Sequence, residues 1–372
     1  MTDIVFTEEQ DELRRTVRAF LEQKSPEAEV RRLMETVEGY DPAVWGQMAE
    51  QLGLQGLAIP EAYGGSGYSF VELGIVLEEM GRSLLCAPFL SSVVLAANTL
   101  LCSGDEAAMG EWLPGIADGS VIGSLAYLED SGGADEAGIA TGASPVGDGW
   151  AITGTKSYVI DGHIADLVLV AARTAAGVSL FAVRGDAPGL VRTRMQTLDL
   201  TRAQARLELD GVPATLVGTD GQGWALLTEV FDLAVTGLAA EQAGGSQCVL
   251  DMAVAYASER VQFGRIIGSF QAIKHKCADM LMEVELAKTA AYNAMWTAAE
   301  APGELSEAAA IARSFCSEAY VSVASENIQI HGGMGFTYEH PAHLYLRRAT
   351  SSELLFGVPS AWRERLADLV GM

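Results

Sequence analysis

The period of the apolar residues changes twice along the chain, and that change limits the available folds more than any single motif. From residue 5 to about 120 the texture is helical. "TEEQDELRRTVRAFLEQ" opens on a Thr–Glu–Glu cap signal and repeats apolar residues at Leu13, Val17, Phe20 and Leu21. "DPAVWGQMAEQLG" predicts a second helix, with Asp41 as N-cap and Pro42 at the first helical position. After a turn rich in proline and glycine, "FVELGIVLEEMGRSL" is helical again. From about 121 to 217 the runs are short: "GWAITGTKSYVIDG", "ADLVLVAAR", "VSLFAVRG" and "RLELDGVPATLVG". They are rich in Val, Ile, Leu and Tyr and bounded by Gly, Asp or Pro, which predicts β-strands at hairpin spacing in a small barrel or sandwich. From 221 onward the helical texture returns. After Ser269, apolar residues at Ile273, Cys277, Met280, Val284, Ala287 and Ala291 alternate steps of four and three, the seam of a long bundle helix. The expected fold class is α+β, with an N-terminal helical domain (1–120), a middle β domain (121–218) and a C-terminal helical bundle (219–372).

At 372 residues, 49% of them apolar, the chain can bury two or three packed layers. Its formal charge of −25 argues against binding nucleic acid or an anionic membrane. No apolar run reaches membrane length, and "MTDIVFTEEQDELRR" is acidic where a signal peptide is basic and then apolar. Five scattered cysteines without CxxC spacing fit reduced thiols, so a cytoplasmic protein is expected. The one HxxH, His340 and His343, spans a proline and is not read as a metal site.

Four stretches carry more than fold. "IPEAYGGSGYS" has glycines at 64, 65 and 67 and reads as a tight turn. In "ERVQFGRIIGSFQ", Arg260 can neutralise phosphate and Phe263, beside Gly264, can flank a planar ring. Ser269 is the expected N-cap of the long helix, which places Gln271 in a first turn whose free N–H groups suit an anion such as pyrophosphate. In "IQIHGGMGFTYEHP", Gln329 and the pair Gly332–Gly333 let a ligand approach the backbone. The fourth stretch is "LYLRRATSSELLFGVP".

In this order and around this α–β–α plan, the stretches resemble the acyl-CoA dehydrogenase family of flavoenzymes along essentially the whole chain. The resemblance implies the family's fold: a helical domain, a β-barrel or sandwich, and a four-helix bundle. It implies FAD bound across a dimer interface within a tetramer, its ring against one subunit's β domain. The neighbour would grip the adenine and pyrophosphate through residues matching Arg260, Gln262, Phe263, Gln271, Gln329 and Gly333, with Gly264 and Gly332 shaping the backbone. It also implies α,β-desaturation of an acyl-CoA substrate, a glutamate taking the α-proton, and an electron-transfer flavoprotein or similar acceptor.

The departures from the family's pattern sharpen this. Counting from Arg347, Phe356 stands where the family's catalytic glutamate is expected and Val358 where a hydroxyl is. A minority of the family carries its glutamate on the helix after the β domain, and Ala234 matches that position. The loop that usually lies along the flavin reads "LEDSGGADEAG", and the element that usually packs on the ring offers Tyr158 and Ile160. The half-site for ring and base is degraded, while the half-site for a neighbour's adenine end is intact. The sequence is similar to the non-catalytic-type subunits of actinobacterial two-plus-two heterotetramers that act on steroid side-chain CoA esters. A paralogous catalytic subunit is therefore the expected partner.

Two rivals remain. In a self-sufficient homotetramer, Glu241 would be a relocated base, two turns or about 11 Å beyond Ala234. Its plainer reading is a bundle carboxylate bonded to a neighbouring helix. Asp232 and Glu353 are weaker candidates. A purely structural subunit without flavin contact has no use for the retained Arg260, Phe263, Gln271, Gln329 and glycine pair.

Overall fold

The computed structural model describes residues 6–372; the first five, on which the reading of the N-terminus partly rests, lie outside the described residues. The order of elements is helices, strands, helices. The helices are α1 (Glu8–Lys24), α2 (Glu27–Leu33), α3 (Pro42–Glu50), α4 (Phe70–Arg82), α5 (Asn98–Ser103), α6 (Glu106–Ala117), α7 (Gly223–Glu259), α8 (Gln271–Glu300), α9 (Leu305–His331), α10 (Ala342–Leu354) and α11 (Pro359–Leu369). Thr7 caps α1 in a capping box with Gln10, and Asp41 accepts the Ala43 and Val44 N–H groups ahead of Pro42, as the sequence predicts.

By contacts the chain forms two units, which cut across the sequence texture. One contains Arg32–Ser69 and Cys86–Ala234. Its strands are β1 (Gly123–Ala126), β2 (Gly142–Val146), β3 (Gly149–Ile160), β4 (Leu167–Arg173), β5 (Val178–Arg184), β6 (Leu190–Arg194) and β7 (Gln204–Val217). β4 pairs β5, β5 pairs β7, β7 pairs β3, β3 pairs β2 and β2 returns to β4, a closed circuit. The barrel is mixed, because β1 runs parallel to β4. Closure removes the exposed edges that an open sheet of this size would have to protect. In the turn after α3, Gly64 and Gly67 have positive φ, and a Cβ on Gly65 would lie 1.9 Å from the Ile59 carbonyl oxygen. These glycines make a turn that no other residue could make.

The other unit runs up to Arg31 and takes in Phe70–Leu85 and the chain from Val235 onward. It is helical, with α8 against α4 and α9, and α9 against α10 and α11. Met280, Val284, Ala287 and Ala291 of the predicted α8 seam are buried, while Ile273 and Cys277, at its start, are half-buried. An alanine-rich cluster from α7, α8 and α9 lets these helices pack closely. α4 and α7 touch at their backbones: a Cβ on Gly81 would meet the Glu241 carbonyl oxygen at 2.0 Å, and one on Gly244 the Glu78 carbonyl oxygen at 1.8 Å. By length and composition α7 could cross a bilayer, but 61% of its apolar window is buried inside the protein.

Candidate functional site

The segment after α7 is built as a miniature hairpin. β8 (Val261–Gln262) pairs with β9 (Arg265–Ile266), leaving a two-residue turn at Phe263–Gly264. Both turn residues have positive φ, 54° and 77°, as the tight turn of twisted strands demands. Glycine takes this conformation freely, but for a bulky aromatic it is an outlier. Phe263 nonetheless sits there with its ring 91% exposed, edge-on to Phe270 at 6.2 Å. The Arg265 guanidinium lies over the Phe270 ring at 3.9 Å. Gly268 lets the loop fold back on α7, since a Cβ there would lie 2.7 Å from the Ala257 carbonyl oxygen.

The start of α8 differs from expectation. The N-cap position is Phe270, with no side-chain cap, and the Ser269 hydroxyl donates to the Ile266 carbonyl at 2.6 Å. The three-residue helical turn Ile267–Ser269 advances the chain one residue further before α8 begins, and turns the serine away. Gln271 is still in the first turn.

Hairpin and helix ends enclose a cleft of about 470 Å³. It gathers Arg260, Gln262 and Phe263 with Gly332 and Gly333. Gln271, Gln329 and Gly264 are exposed and do not line it. Gly332 closes α9 at φ 60°, and no atom would crowd a Cβ on either glycine, so the space above this turn is open. Sequence reasoning missed Tyr256 and His331, whose rings stack at 4.2 Å on one wall. Tyr256 lies one turn before Arg260 on the same face of α7, a spacing that would have revealed it. His331 donates its Nδ1–H to the Asn327 carbonyl at 2.9 Å. A guanidinium, amide donors, stacked rings and an open glycine turn fit the adenine and pyrophosphate of a dinucleotide.

The two positions that the resemblance assigns to a base are apolar. Ala234 is fully buried in α7. Phe356 is 7% exposed at φ 58°, and its carbonyl accepts the Trp362 indole N–H at 2.8 Å. The buried Arg313 donates to the carbonyls of Glu353, Leu355 and Gly357 and so fixes this segment. Val358 is exposed. Glu241, 5% exposed, forms an ion pair with Arg348 of α10 at 3.0 Å. It lies roughly 22 Å along α7 from Tyr256 at the standard helical rise.

In the barrel unit the "LEDSGGADEAG" loop is tied down by its own carboxylates. Glu129 accepts the Ala140 and Thr141 N–H groups and the Lys156 ammonium at 2.7 Å. Burial pushes Lys156 down to about 8, against the pull of Glu129. Burial pushes Glu129 up, but Lys156 and the Thr141 N–H outweigh it and hold the carboxyl below its usual range. Asp130 accepts from Ser157 and from Arg206. Next to this latch Tyr158 has φ 58° and is 48% exposed, whereas Ile160 is buried. Among the described residues no group of three or more His, Cys, Asp or Glu is placed to hold a metal ion, and none of the five cysteines is in a disulfide.

Profiles of the N-terminal, middle and C-terminal domains of acyl-CoA dehydrogenases match residues 7–120, 124–212 and 221–369. The acyl-CoA dehydrogenase IpdE2 of Mycolicibacterium smegmatis is 36% identical over 98% of both chains. A solved variant of the Tcur3481–Tcur3483 steroid acyl-CoA dehydrogenase is 33% identical over 98% of both chains, with a TM-score of 0.88. A chain of the ChsE4–ChsE5 complex from Mycobacterium tuberculosis is 29% identical over 100% of this chain and 99% of its own, with a TM-score of 0.90. With all three domains matched in order along the chain, and a relative 36% identical over its length, the chain belongs to the acyl-CoA dehydrogenase family.

Proposed function

We propose that the protein is the cofactor-completing, non-catalytic subunit of a heterotetrameric, FAD-dependent acyl-CoA dehydrogenase. The observation that carries this reading is a contrast within one helical unit. The cleft of Arg260, Gln262, Phe263 and the glycine pair is furnished for a dinucleotide, while the base position holds the buried Phe356. Phenylalanine cannot accept a proton, and Ala234 cannot replace it. In this reading Arg260 neutralises the pyrophosphate, Gln262 hydrogen-bonds it, and Tyr256 and His331 flank the adenine. Gln271 and Gln329 contribute from the rim. Phe263, held outward on its hairpin, reaches toward the paralogous catalytic subunit. The bound flavin supplies the hydride acceptor for α,β-desaturation of the acyl-CoA. The names of the solved relatives, a "steroid ACAD" and a ChsE4–ChsE5 complex, support a steroid side-chain CoA ester as substrate and a two-plus-two assembly. An electron-transfer flavoprotein or similar protein would take the electrons, in the cytoplasm. The division at 1–120, 121–218 and 219–372 belongs to the same reading.

The test is the flavin absorbance and native mass of the protein purified alone and with the product of its genomic neighbour. The lone chain is expected to hold little flavin and show no desaturation, and the co-purified complex to show both. Stoichiometric flavin with turnover from the lone chain would sink the proposal. A homotetramer using Glu241 is disfavoured by the buried ion pair with Arg348, which engages the carboxylate that would have to act as base.

A further inference from the structure

Three of the chain's five histidines meet at the edge of the dinucleotide cleft. The ring of His331, the last residue of α9, lies 4.3 Å from that of His340 and is also stacked on Tyr256. His343, in the first turn of α10, stacks on Tyr338 at 5.1 Å. Between His331 and His340 runs the glycine turn that forms one edge of the cleft.

The hydrogen bonds set the tautomer of each ring, and that of His340 also requires it to be neutral. His331 gives its Nδ1 proton to the Asn327 carbonyl, a bond that the neutral and the protonated ring both make. His340 Nδ1 accepts the Ala342 N–H at 3.2 Å, so the proton sits on Nε2 and the ring caps the start of α10. His343 gives its Nε2 proton to the Tyr338 carbonyl at 3.0 Å. An imidazolium has no lone pair, so protonated His340 would lose its bond to Ala342 and set a positive charge at a helix N-terminus.

The surroundings do not welcome a second charge. His331 faces Tyr256 of α7, Asn327 of its own helix and His340. His340 faces His331 and His343, and from α2 both Glu27 and Arg31. His343 faces Arg31, Arg347 and Glu27. Glu27 is the carboxylate that faces this group, and it is already paired with Arg31 at 2.7 Å. Burial holds all three imidazoles below their ordinary value, and for His340 the neighbouring His331 adds to this.

We infer that His331 and His340 are positioning residues of the dinucleotide cleft: as neutral rings they hold Tyr256 and the Gly332–Gly333 turn in place, and protonating them loosens the turn and releases the nucleotide. This rests on the cofactor reading above and adds to it a dependence on pH that no cleft residue in direct contact with phosphate supplies.

The experiment uses ADP-ribose, whose pyrophosphate does not titrate near neutrality, added to the co-purified complex stripped of its flavin and followed by calorimetry from pH 7.5 to about 5.5, a span chosen around the ordinary histidine range. The dissociation constant of the unaltered protein is expected to rise at least tenfold over that interval. His340→Asn, whose amide oxygen can accept the Ala342 N–H at any pH, should bind as the unaltered protein does at the upper pH and lose most of the rise. His331→Phe keeps a ring on Tyr256 but leaves His340 to titrate, so it should bind more weakly at the upper pH and still weaken with acid. Binding that does not weaken with acid, or weakens equally in His340→Asn, overturns the inference alone. Absence of ADP-ribose binding at the upper pH overturns the dinucleotide reading and the inference with it.

Discussion

Glu241 of α7 and Arg348 of α10 face each other at 3.0 Å with side chains 6% and 3% exposed. A pair this deeply buried binds two helices of the bundle. Removing one partner takes a counter-charge away from the other in the interior. Glu241→Gln and Arg348→Met should each cost about 3–5 kcal/mol in urea unfolding, and the double variant clearly less than their sum. Flavin-dependent turnover per folded complex should survive Glu241→Gln. Its complete loss with stability intact would restore Glu241 as the base.

Arg260 and Phe263 should separate binding from folding. Arg260→Ala removes the charge-assisted contact with pyrophosphate, so flavin affinity of the complex should fall by about tenfold to a hundredfold. Phe263→Gly removes the exposed ring and relieves the positive φ of 54°. Its unfolding free energy should be unchanged or higher by about 1 kcal/mol, while flavin content falls. Normal flavin retention in both variants, measured by absorbance ratio, would refute the role given to the hairpin.

Much of this layout is legible in the residues. The steps of four and three after Ser269 place α8 because one face must stay apolar for the whole helix, and Asp41–Pro42 mark the start of α3 by local chemistry alone. β1, β2 and β6 are not legible for different reasons. β1 is four buried residues without alternation, β2 contains Pro145, and β6 mixes Arg and Thr with Leu and Val. Each is a strand only because the barrel closes around it. The cleft is half legible: Arg260, Phe263 and the glycine pair carry recognisable chemistry and Tyr256 sits one turn before Arg260, but His331 joins them only through the return of α9 to the end of α7. Backbone shape is hidden altogether. Of the five non-glycine residues with positive φ among the described residues, three are Tyr158, Phe263 and Phe356, all at positions singled out by sequence. Strained conformations held at such sites are a common mark of function.

The Lys156–Glu129 latch gives the barrel unit a pH signature. The lysine's value is about 8 in the folded chain and 10.5 in its ordinary setting, so between these the unfolded chain binds more protons. Stability attributable to Lys156 therefore rises with pH through that window. Glu129 is held below its usual range, so its contribution is present above about 4.5 and is lost as pH falls below that. Comparing urea midpoints of the unaltered protein and Lys156→Met at about pH 7.5 and about pH 10 isolates the first effect. The difference should shift in favour of the unaltered protein at the higher pH; no shift would contradict the assignment.

Arg313 holds the segment that carries Phe356. Its guanidinium is fully buried and donates to three carbonyls, those of Glu353 and Gly357 at 2.8 Å and that of Leu355 at 2.6 Å, as well as to the Ser317 hydroxyl. Nη2 reaches all three carbonyls and Nη1 the Ser317 hydroxyl, whereas a lysine ammonium brings a single nitrogen. Arg313→Lys should therefore lose contacts while keeping the buried charge, at a cost of about 2 kcal/mol or more. Amide exchange should quicken at residues 353–358, and Trp362 fluorescence should shift as its bond to the Phe356 carbonyl loosens. Exchange in the hairpin at 261–266 should stay unchanged, because the carbonyls that Arg313 holds lie at the end of α10 and just after it. Uniform acceleration across the whole helical unit would instead make Arg313 a general core residue, with no particular hold on the segment after α10.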